Sequence, residues 1–392
     1  MTPIENDSQE IDFCQEVQAM LHERVRLAVR YTLITVLDEE VNAFVGAGRY
    51  ERNDRRRDRR NGTYVRSLGT SVGQIEDLPV PRTRKGFRTQ LFDRYQRRQA
   101  ELDRGIGEMF VKGVSTTQVG EVLGVLTEIK PSPSTVSRVF HTLESEFAAW
   151  KQRALEAHYV YAFADGTYFS VIYQNEGHKM PILAIVGINQ RGEREVLGFT
   201  VGERENQFAW EDLLEDLKRR GVQEVDLWVT DGNQAMLNAL QLKFPASQRQ
   251  RCIRHKMENV LGYVPTTQQE ALKPELKAIF YQDSREKADQ EVAAFIAKYG
   301  ASYPTAVECL KRDLEACLTF YAFPQMHWKT IRTSNVIERL FGEVKKRSHK
   351  MATAFRNEGS CLLMFYAVIR GLKFRRISMP ASEPDSQLLH RI

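Results

Sequence analysis

Cysteine is scarce, with five in 392 residues, odd in number and widely scattered as Cys14, Cys252, Cys309, Cys317 and Cys361. That number and scatter argue against a disulfide framework, and a reducing cytoplasm is the expected compartment. No apolar run approaches the roughly 18 residues that a membrane-spanning helix requires. The opening MTPIENDSQEIDF is acidic and polar, unlike a secretory signal. Internal repeats and low-complexity tracts are also missing. What remains is the composition of a folded chain, 42% hydrophobic, 27% charged and 10% aromatic. Its length suits about two or three domains.

The net charge of +5 conceals two basic blocks. Residues 49–98 hold fifteen Lys and Arg against six Asp and Glu, and residues 329–376 hold twelve against three. Everything else is acidic on balance. Two such blocks point to a polyanion partner, most simply nucleic acid. A solvated basic surface is the plain alternative.

Apolar residues recur at helical spacing through Val17, Leu21, Val25, Val29 and Leu33, which predicts a helix over about residues 11–45. Its role is structural, in a core or between two copies. RYERNDRRRDRRNGTYVRSLGT follows, too charged to bury and with a turn signal at Asn61-Gly62. In PVPRTRKGF, Pro79 and Pro81 favour extended backbone. An Arg-rich arm of that kind lies along phosphates or enters a minor groove; a flexible linker is the alternative. Its candidate contacts are Arg55, Arg56, Arg57, Arg59, Arg60, Arg82, Arg84, Lys85 and Arg88.

From Phe92 to about Lys151 the pattern is helical again. Ser115 is placed to cap one helix through Val119 and Val122, and Ser132 or Ser134 a second through Val136 and Phe140. Two short capped helices around a turn fit a helix-turn-helix, whose second helix enters the major groove. Ser134, Thr135, Ser137 and Arg138 would then face bases or phosphates, although many helical hairpins share this pattern.

After Lys151 the texture turns to β. YVYAFAD, YFSVIYQ, MPILAIVGIN and EVLGFTVG read as strands separated by polar or Gly turns. A helix over about residues 207–220, the buried strand EVDLWVTDG and a further helix from Ala235 follow. That order predicts a mixed sheet flanked by helices, as in ribonuclease-H-like domains. Residues 265–329 return to helix, and NVIERLFGEVKKR predicts an amphipathic helix with Val336, Ile337, Leu340, Phe341 and Val344 inward. Lys345, Lys346 and Arg347 on that helix are candidate DNA contacts.

Three carboxylates stand out. Asp165 ends YVYAFAD, Asp231 ends a buried strand before Gly232, and Glu338 borders the apolar stripe of the last helix. Gathered together they would repel one another unless hard cations joined them. Mg²⁺ takes oxygen ligands, and two such ions about 3.5–4 Å apart serve phosphoryl transfer. Taken singly, each carboxylate is more ordinarily a turn, cap or surface residue. Cys252 and His255, in CIRH, make only half of a zinc site and are expected to support the active site or contact DNA. Trp210 and Trp228 read as core. Trp328 is a candidate for stacking on an unpaired base, with core packing as the rival.

At these residues the chain resembles a family, the bacterial insertion-sequence transposases related to Mutator elements. RNGTYVRSLGTSVGQIEDLPVPRTRKGF, VSTTQVGEVLG, SPSTVSRV, AFADGTYFSV, GINQRGEREVLGF, WEDLLEDLKRRGV, LWVTDGNQAMLNAL, RCIRHKMENV and RTSNVIERLFGEVKKRS occur in the family's order. The resemblance implies a DDE enzyme with a ribonuclease-H-like α/β core. It puts Asp165, Asp231 and Glu338 on the catalytic, metal-holding triad and Cys252 and His255 on a Cys/Asp-x-x-His signature. It also makes residues 265–329 a helical insertion. Two places depart from the family pattern: SVIYQ lacks a basic residue, and Phe341-Gly342 stand where polar residues are commoner.

The expected organisation is an N-terminal helical segment (1–48), a basic arm (49–98), a helix-turn-helix-like domain (99–155), a catalytic domain (156–264 and 330–376), the insertion (265–329) and a tail (377–392). The expected activity is a two-metal DNA transposase using Mg²⁺, with Mn²⁺ as a substitute. It would bind terminal inverted repeats and target DNA as a homodimer, cytoplasmic and nucleoid-associated, with no membrane role. The alternatives are a ribonuclease-H-like nuclease without strand transfer and a non-catalytic, transposase-derived DNA-binding protein.

Overall fold

Leu33, Leu37, Val41 and Val45 recur every fourth residue and are all buried, which puts one stripe of a long helix into a core. In the computed structural model, which describes residues 5–93, 96–173, 176–202, 206–351 and 357–380 (without side chains at 5–15, 172–173, 177 and 347–351), that helix is α1 (Glu5–Val45). It packs on an antiparallel hairpin of β1 (Arg60–Thr70) and β2 (Gly73–Thr83). Leu68, Ile75, Leu78 and Val80 of the hairpin meet Leu33 and Leu37 of the helix, with Phe92 closing the cluster.

The segment expected as an Arg-rich arm therefore contains a paired hairpin over residues 60–83. Pro79 and Pro81 are accommodated because a two-stranded sheet has only edge strands. Asn61-Gly62 is not the hairpin turn. Gly62, at φ +71°, lies where the register shifts between Arg60 and Thr63, a bulge inside β1. The chain reverses at Ser71-Val72, and the Thr70 hydroxyl donates to the Gly73 carbonyl at 2.7 Å.

Three short helices follow, α2 (Ala100–Val111), α3 (Thr116–Thr127) and α4 (Pro133–His141). Ile106, Val119, Leu123 and Val136 form their common core. Ser115 caps α3 in a reciprocal box with Gln118. Of the two serines considered for α4, Ser132 is the cap, with Pro133 in the first helical position. A Cβ at Gly120 would fall 2.7 Å from the Pro131 carbonyl oxygen, so this glycine permits the close approach of α3 to the turn.

The chain divides into two compact units, residues 1–143 and 144–392. α5 (Leu143–Gln152) leads into the second. Its sheet comprises β3 (His158–Tyr173), β4 (Glu176–Asn189), β5 (Arg194–Val201), β6 (Glu224–Thr230) and β7 (Gln248–Arg251), in the order β5-β4-β3-β6-β7. β4 is antiparallel to both neighbours, while β6 is parallel to β3 and β7 to β6. YVYAFAD and YFSVIYQ, expected as two strands, are one 16-residue strand. Gly166 stays in the ladder opposite Leu183 instead of turning.

Helices α6 (Gln207–Arg219) and α7 (Gln234–Lys243) cover one face, where Trp210 and Trp228 sit buried among Leu213, Leu217 and Phe244. Truncating either indole to Ala would cost about 3–5 kcal/mol. α14 (Asn335–Met351) and α15 (Glu358–Arg370) pack on β3, β4 and β5. Phe341 lies 6.1 Å from Phe365, which in turn lies 4.5 Å from Phe199 between ring centroids. The apolar residue at 341 is thus a packing residue.

Between sheet and α14 run α8 (Ile253–Leu261), α9 (Thr266–Ile279), α10 (Arg285–Tyr299), α11 (Pro304–Arg312), α12 (Leu314–Leu318) and α13 (Trp328–Ile331). Of these, α8 to α12 share an apolar core of their own, including Leu276, Phe280, Phe295 and Leu310, and α8 contributes Ile253 and Val260 to it. Residues beyond α15 return to the sheet: Ile377 N donates to the Gly192 carbonyl at 2.9 Å, and the Ser378 carbonyl lies 2.8 Å from His327 Nε2. The rest of the expected tail, residues 381–392, lies outside the described residues. Among the described residues no helix is long and apolar enough to cross a membrane.

Candidate active site

Parallel pairing of β3 with β6 ends at Ala164 opposite Thr230. Asp165 and Asp231 are the next residue on each chain, so the register alone places them side by side. Asp165 does not end its strand, as the sequence suggested. It lies mid-strand, where β6 stops and β3 continues beside β4 alone. Asp165 is 8% exposed, and its Oδ1 accepts the Gly166 N–H at 2.8 Å. Asp231 Oδ1 accepts the Asn233 N–H at 2.8 Å, and Asn233 caps α7.

β7 brings the third element. Thr230 pairs with Arg251, and Cys252 N donates to the Thr230 carbonyl at 2.7 Å. Cys252 therefore opens α8 beside Asp231, with His255 in the first turn. Ile253 N donates to the Arg332 carbonyl at 3.0 Å, which ties this start to the chain entering α14. Ser334 bridges the two: its N–H donates to Cys252 Sγ at 3.3 Å. Its hydroxyl lies 3.3 Å from the same sulfur and 2.9 Å from Glu338 Oε1, and donates to one of them at a time. Glu338 Oε2 pairs with Arg254, and His255 Nε2 lies 3.9 Å from Glu338 Oε1. Donor atoms of Cys252, His255 and Glu338 lie within 4.8 Å of one another.

Burial pushes the Asp165 carboxyl up to about 7, and the Asp231 charge adds to that, with Glu338 a smaller contributor; His255 and the Gly166 N–H oppose it. The Cys252 thiol beside His255 raises that imidazole to about 9 against its own burial, helped by Asp165 and Glu338. Burial pushes Cys252 up, but His255 and Ser334 outweigh it and the thiol falls below its ordinary value. Asp165, Asp231, Glu338 and His255 therefore share one electrostatic field.

Carboxylates in this arrangement could hold a hard divalent cation. Carboxylate oxygens face a protonation cost that a divalent cation would relieve, and oxygen is what Mg²⁺ selects. Cys252 is a soft donor whose sulfur already receives Ser334, so it fits the role of a support better than that of a Mg²⁺ ligand.

The proposed DNA contacts fall into two groups. Arg55, Arg59, Arg84 and Arg88 are exposed. Others are already engaged: Arg56 Nη2 donates to the Glu51 carbonyl at 2.9 Å and Arg57 Nη2 to the Ala43 carbonyl at 2.8 Å. Arg60 pairs with Asn42, Arg82 lies 4.7 Å above the Tyr64 ring, and Lys85 Nζ donates to the Arg57 carbonyl at 2.7 Å. On α4, Ser134 and Arg138 are exposed and Thr135 and Ser137 half-buried. Lys345 reaches the Thr167 hydroxyl on β3, and Lys346 pairs with Glu343 at 3.1 Å. The Arg347 side chain lies outside the described residues. Trp328 is half-buried, 4.8 Å from Tyr321 in an edge contact, with its indole N–H donated to the Phe323 carbonyl at 2.7 Å; these contacts favour its packing role.

Sequence reasoning missed Ser334 and Arg254. Ser334 carried a signal, a Ser immediately before a strong helix pattern, but a cap was no reason to expect a bridge between sulfur and carboxylate. Arg254 had none, since its partner Glu338 lies 84 positions away.

Residues 4–376 match the family described as Transposase, Mutator family. The chain is similar to the transposase for insertion sequence element ISRM5 of Rhizobium meliloti strain 1021, at 32% identity over 88% of this chain and 86% of the relative. It is also similar to the transposase for insertion sequence element IS256 in transposon Tn4001 of Staphylococcus aureus, at 30% identity over 91% and 93%. The solved Mos1 mariner paired end complex with Mn aligns with 59% of this chain and 80% of that one at 13% identity and a TM-score of 0.17, too slight a likeness to bear on fold or function. On the family match and these relatives, the chain belongs to the Mutator family of transposases.

Proposed function

We propose that this protein is a DNA transposase of the DDE kind, binding the terminal inverted repeats of an insertion sequence and carrying out metal-dependent cleavage and strand transfer. The observation that carries the chemistry is the buried Asp165, beside Asp231 where β6 stops and in the field of Glu338. The sheet order supports a ribonuclease-H-like core: three hairpin-linked strands, then two parallel ones beside the first. The relatives' names support the activity.

Asp165, Asp231 and Glu338 would hold two divalent ions, Mg²⁺ or Mn²⁺. Bound ions of this kind activate the attacking oxygen and stabilise the leaving one. The protein's own groups position these events. Ser334 turns the Glu338 carboxylate. His255, charged at neutral pH, favours the ionised form of its acidic neighbours and can donate to a phosphate oxygen. In the first step water attacks phosphorus and the P–O3′ bond breaks to free a 3′-hydroxyl; in the second that hydroxyl gives up its proton and attacks another phosphodiester, whose own 3′-oxygen leaves and is protonated. Two DNA ends must meet, so a homodimer on DNA is expected. The exposed Arg55, Arg59, Arg84 and Arg88, with α4, supply the DNA-binding surface.

The test is cleavage of a duplex carrying the element's end, with Mg²⁺, by wild type, Asp165→Asn, Asp231→Asn and Glu338→Gln, followed by strand transfer from pre-cut ends. Wild type is expected to do both and each variant neither. Equal cleavage by all four proteins removes the catalytic assignment; cleavage without joining reduces the protein to a nuclease.

A further inference from the structure

A polar cleft of about 640 Å³ opens at the Gly232 turn, which follows Asp231, and is walled by that turn, the end of β7, one side of α8 and the end of α11. Its charge is unbalanced. Lys256 is 1% exposed, and its Nζ lies 3.1 Å from Asp313 Oδ2. Arg251 Nη1 reaches the same oxygen at 2.9 Å. One carboxylate thus serves two cations. Arg312 adds a third at the exposed side, with no carboxylate partner among the described residues. Glu258, the other acid in the wall, is engaged by Arg254 at 3.1 Å. Excess positive charge held away from water is costly unless an anion completes it. Arg251 Nε is buried without a partner.

The cleft's position is fixed by the same arginine. A Cβ at Gly232 would fall 2.1 Å from Arg251 Nη1, so the guanidinium lies against the turn that follows Asp231. Arg251 itself pairs with Thr230, one residue before that aspartate.

We propose that this cleft is a subsite for a backbone phosphate of the DNA strand, next to the phosphodiester handled at Asp165, Asp231 and Glu338. Arg251 and Lys256 form its fixed floor and Arg312 its closing contact. The proposal rests on the transposase reading. Guanidinium forks suit phosphate oxygens, and a cavity of this size admits the attached sugar.

The experiment measures binding of the full-length protein, without divalent ions, to duplexes of the element's end that each carry a single neutral methylphosphonate near the cleavage position. Wild type and Arg312→Gln are compared by fluorescence anisotropy across a salt series; residue 312 is exposed, so the variant is expected to fold, which circular dichroism checks. One position is expected to weaken wild-type binding roughly tenfold and to weaken Arg312→Gln by a clearly smaller factor, and the salt slope of that variant falls by about 0.9 for the lost contact. Lys256→Met, checked by circular dichroism, is expected to show reduced sensitivity at that same position. Additive effects of Arg312→Gln and the neutral linkage at every position overturn the proposal, as does an unchanged salt slope. Failure of the enzyme reading shows separately: Asp165→Asn would then cleave like wild type, while the linkage experiment still reports on the cleft.

Discussion

Asp165 is ionised only at a cost in the metal-free protein, because burial and Asp231 lift its carboxyl to about 7. The folded form therefore binds a proton that the unfolded form, near 3.8, has released. Stability from this group is fully present below about pH 4 and is lost as pH rises through 7, by on the order of 4 kcal/mol at most. Asp165→Asn removes that cost. In metal-free buffer it is expected to raise the melting temperature at pH 8 and to leave it little changed at pH 4. Destabilisation at pH 8 in differential scanning calorimetry would contradict the burial argument. Mg²⁺ competes with the proton for this carboxylate, so its stabilisation of wild type should be larger at pH 8 than at pH 6. Ser334 acts through Glu338: Ser334→Ala is expected to lower kcat about tenfold, the worth of one hydrogen bond to a charged group, with KM for DNA unchanged. A shift in KM alone would assign Ser334 to substrate binding.

At the scale of elements, the basic segment divides by what each arginine touches. Arg57 donates to a carbonyl in the last turn of α1, where cations also favour the helix dipole. Arg57→Gln should cost about 0.5–1 kcal/mol in urea unfolding. The double variant Arg55→Gln, Arg59→Gln should leave stability alone and reduce the salt slope of DNA binding by about 0.9 per lost phosphate contact. If the slope stays at its wild-type value, those arginines are only solvated. The Gly232 turn makes a sharper case. Its φ of +84° and the guanidinium above it leave no place for a Cβ, so Gly232→Ala should destabilise by about 1–3 kcal/mol and weaken cleavage. Local signals of this kind divide by how they were read. Ser115 was legible as a cap because capping is a matter of three neighbouring residues. Asn61-Gly62 and Asp165-Gly166 misled for a shared reason: glycine marks a bulge or an uninterrupted ladder as readily as a turn, and strand partners decide which.

At the scale of the whole chain, the sheet and its flanking helices were legible because the period of the apolar pattern changes at each boundary. The candidate site was legible in its three carboxylates and in Cys252 and His255. What holds them together was not. The register of β3 against β6, the Ser334 bridge and the Arg254 pair with Glu338 all join residues more than 60 positions apart, and no local pattern encodes them. The cleft around Lys256 was hidden for the same reason, since Asp313 comes from another helical layer.

Asp165, Asp231 and Glu338 are expected to act together to hold divalent ions. Electron paramagnetic resonance titration of Mn²⁺ into the DNA-bound protein measures this directly. Wild type is expected to take up two ions per site, and Asp165→Asn, Asp231→Asn and Glu338→Gln each to lose at least one. Undiminished uptake by all three variants would contradict it.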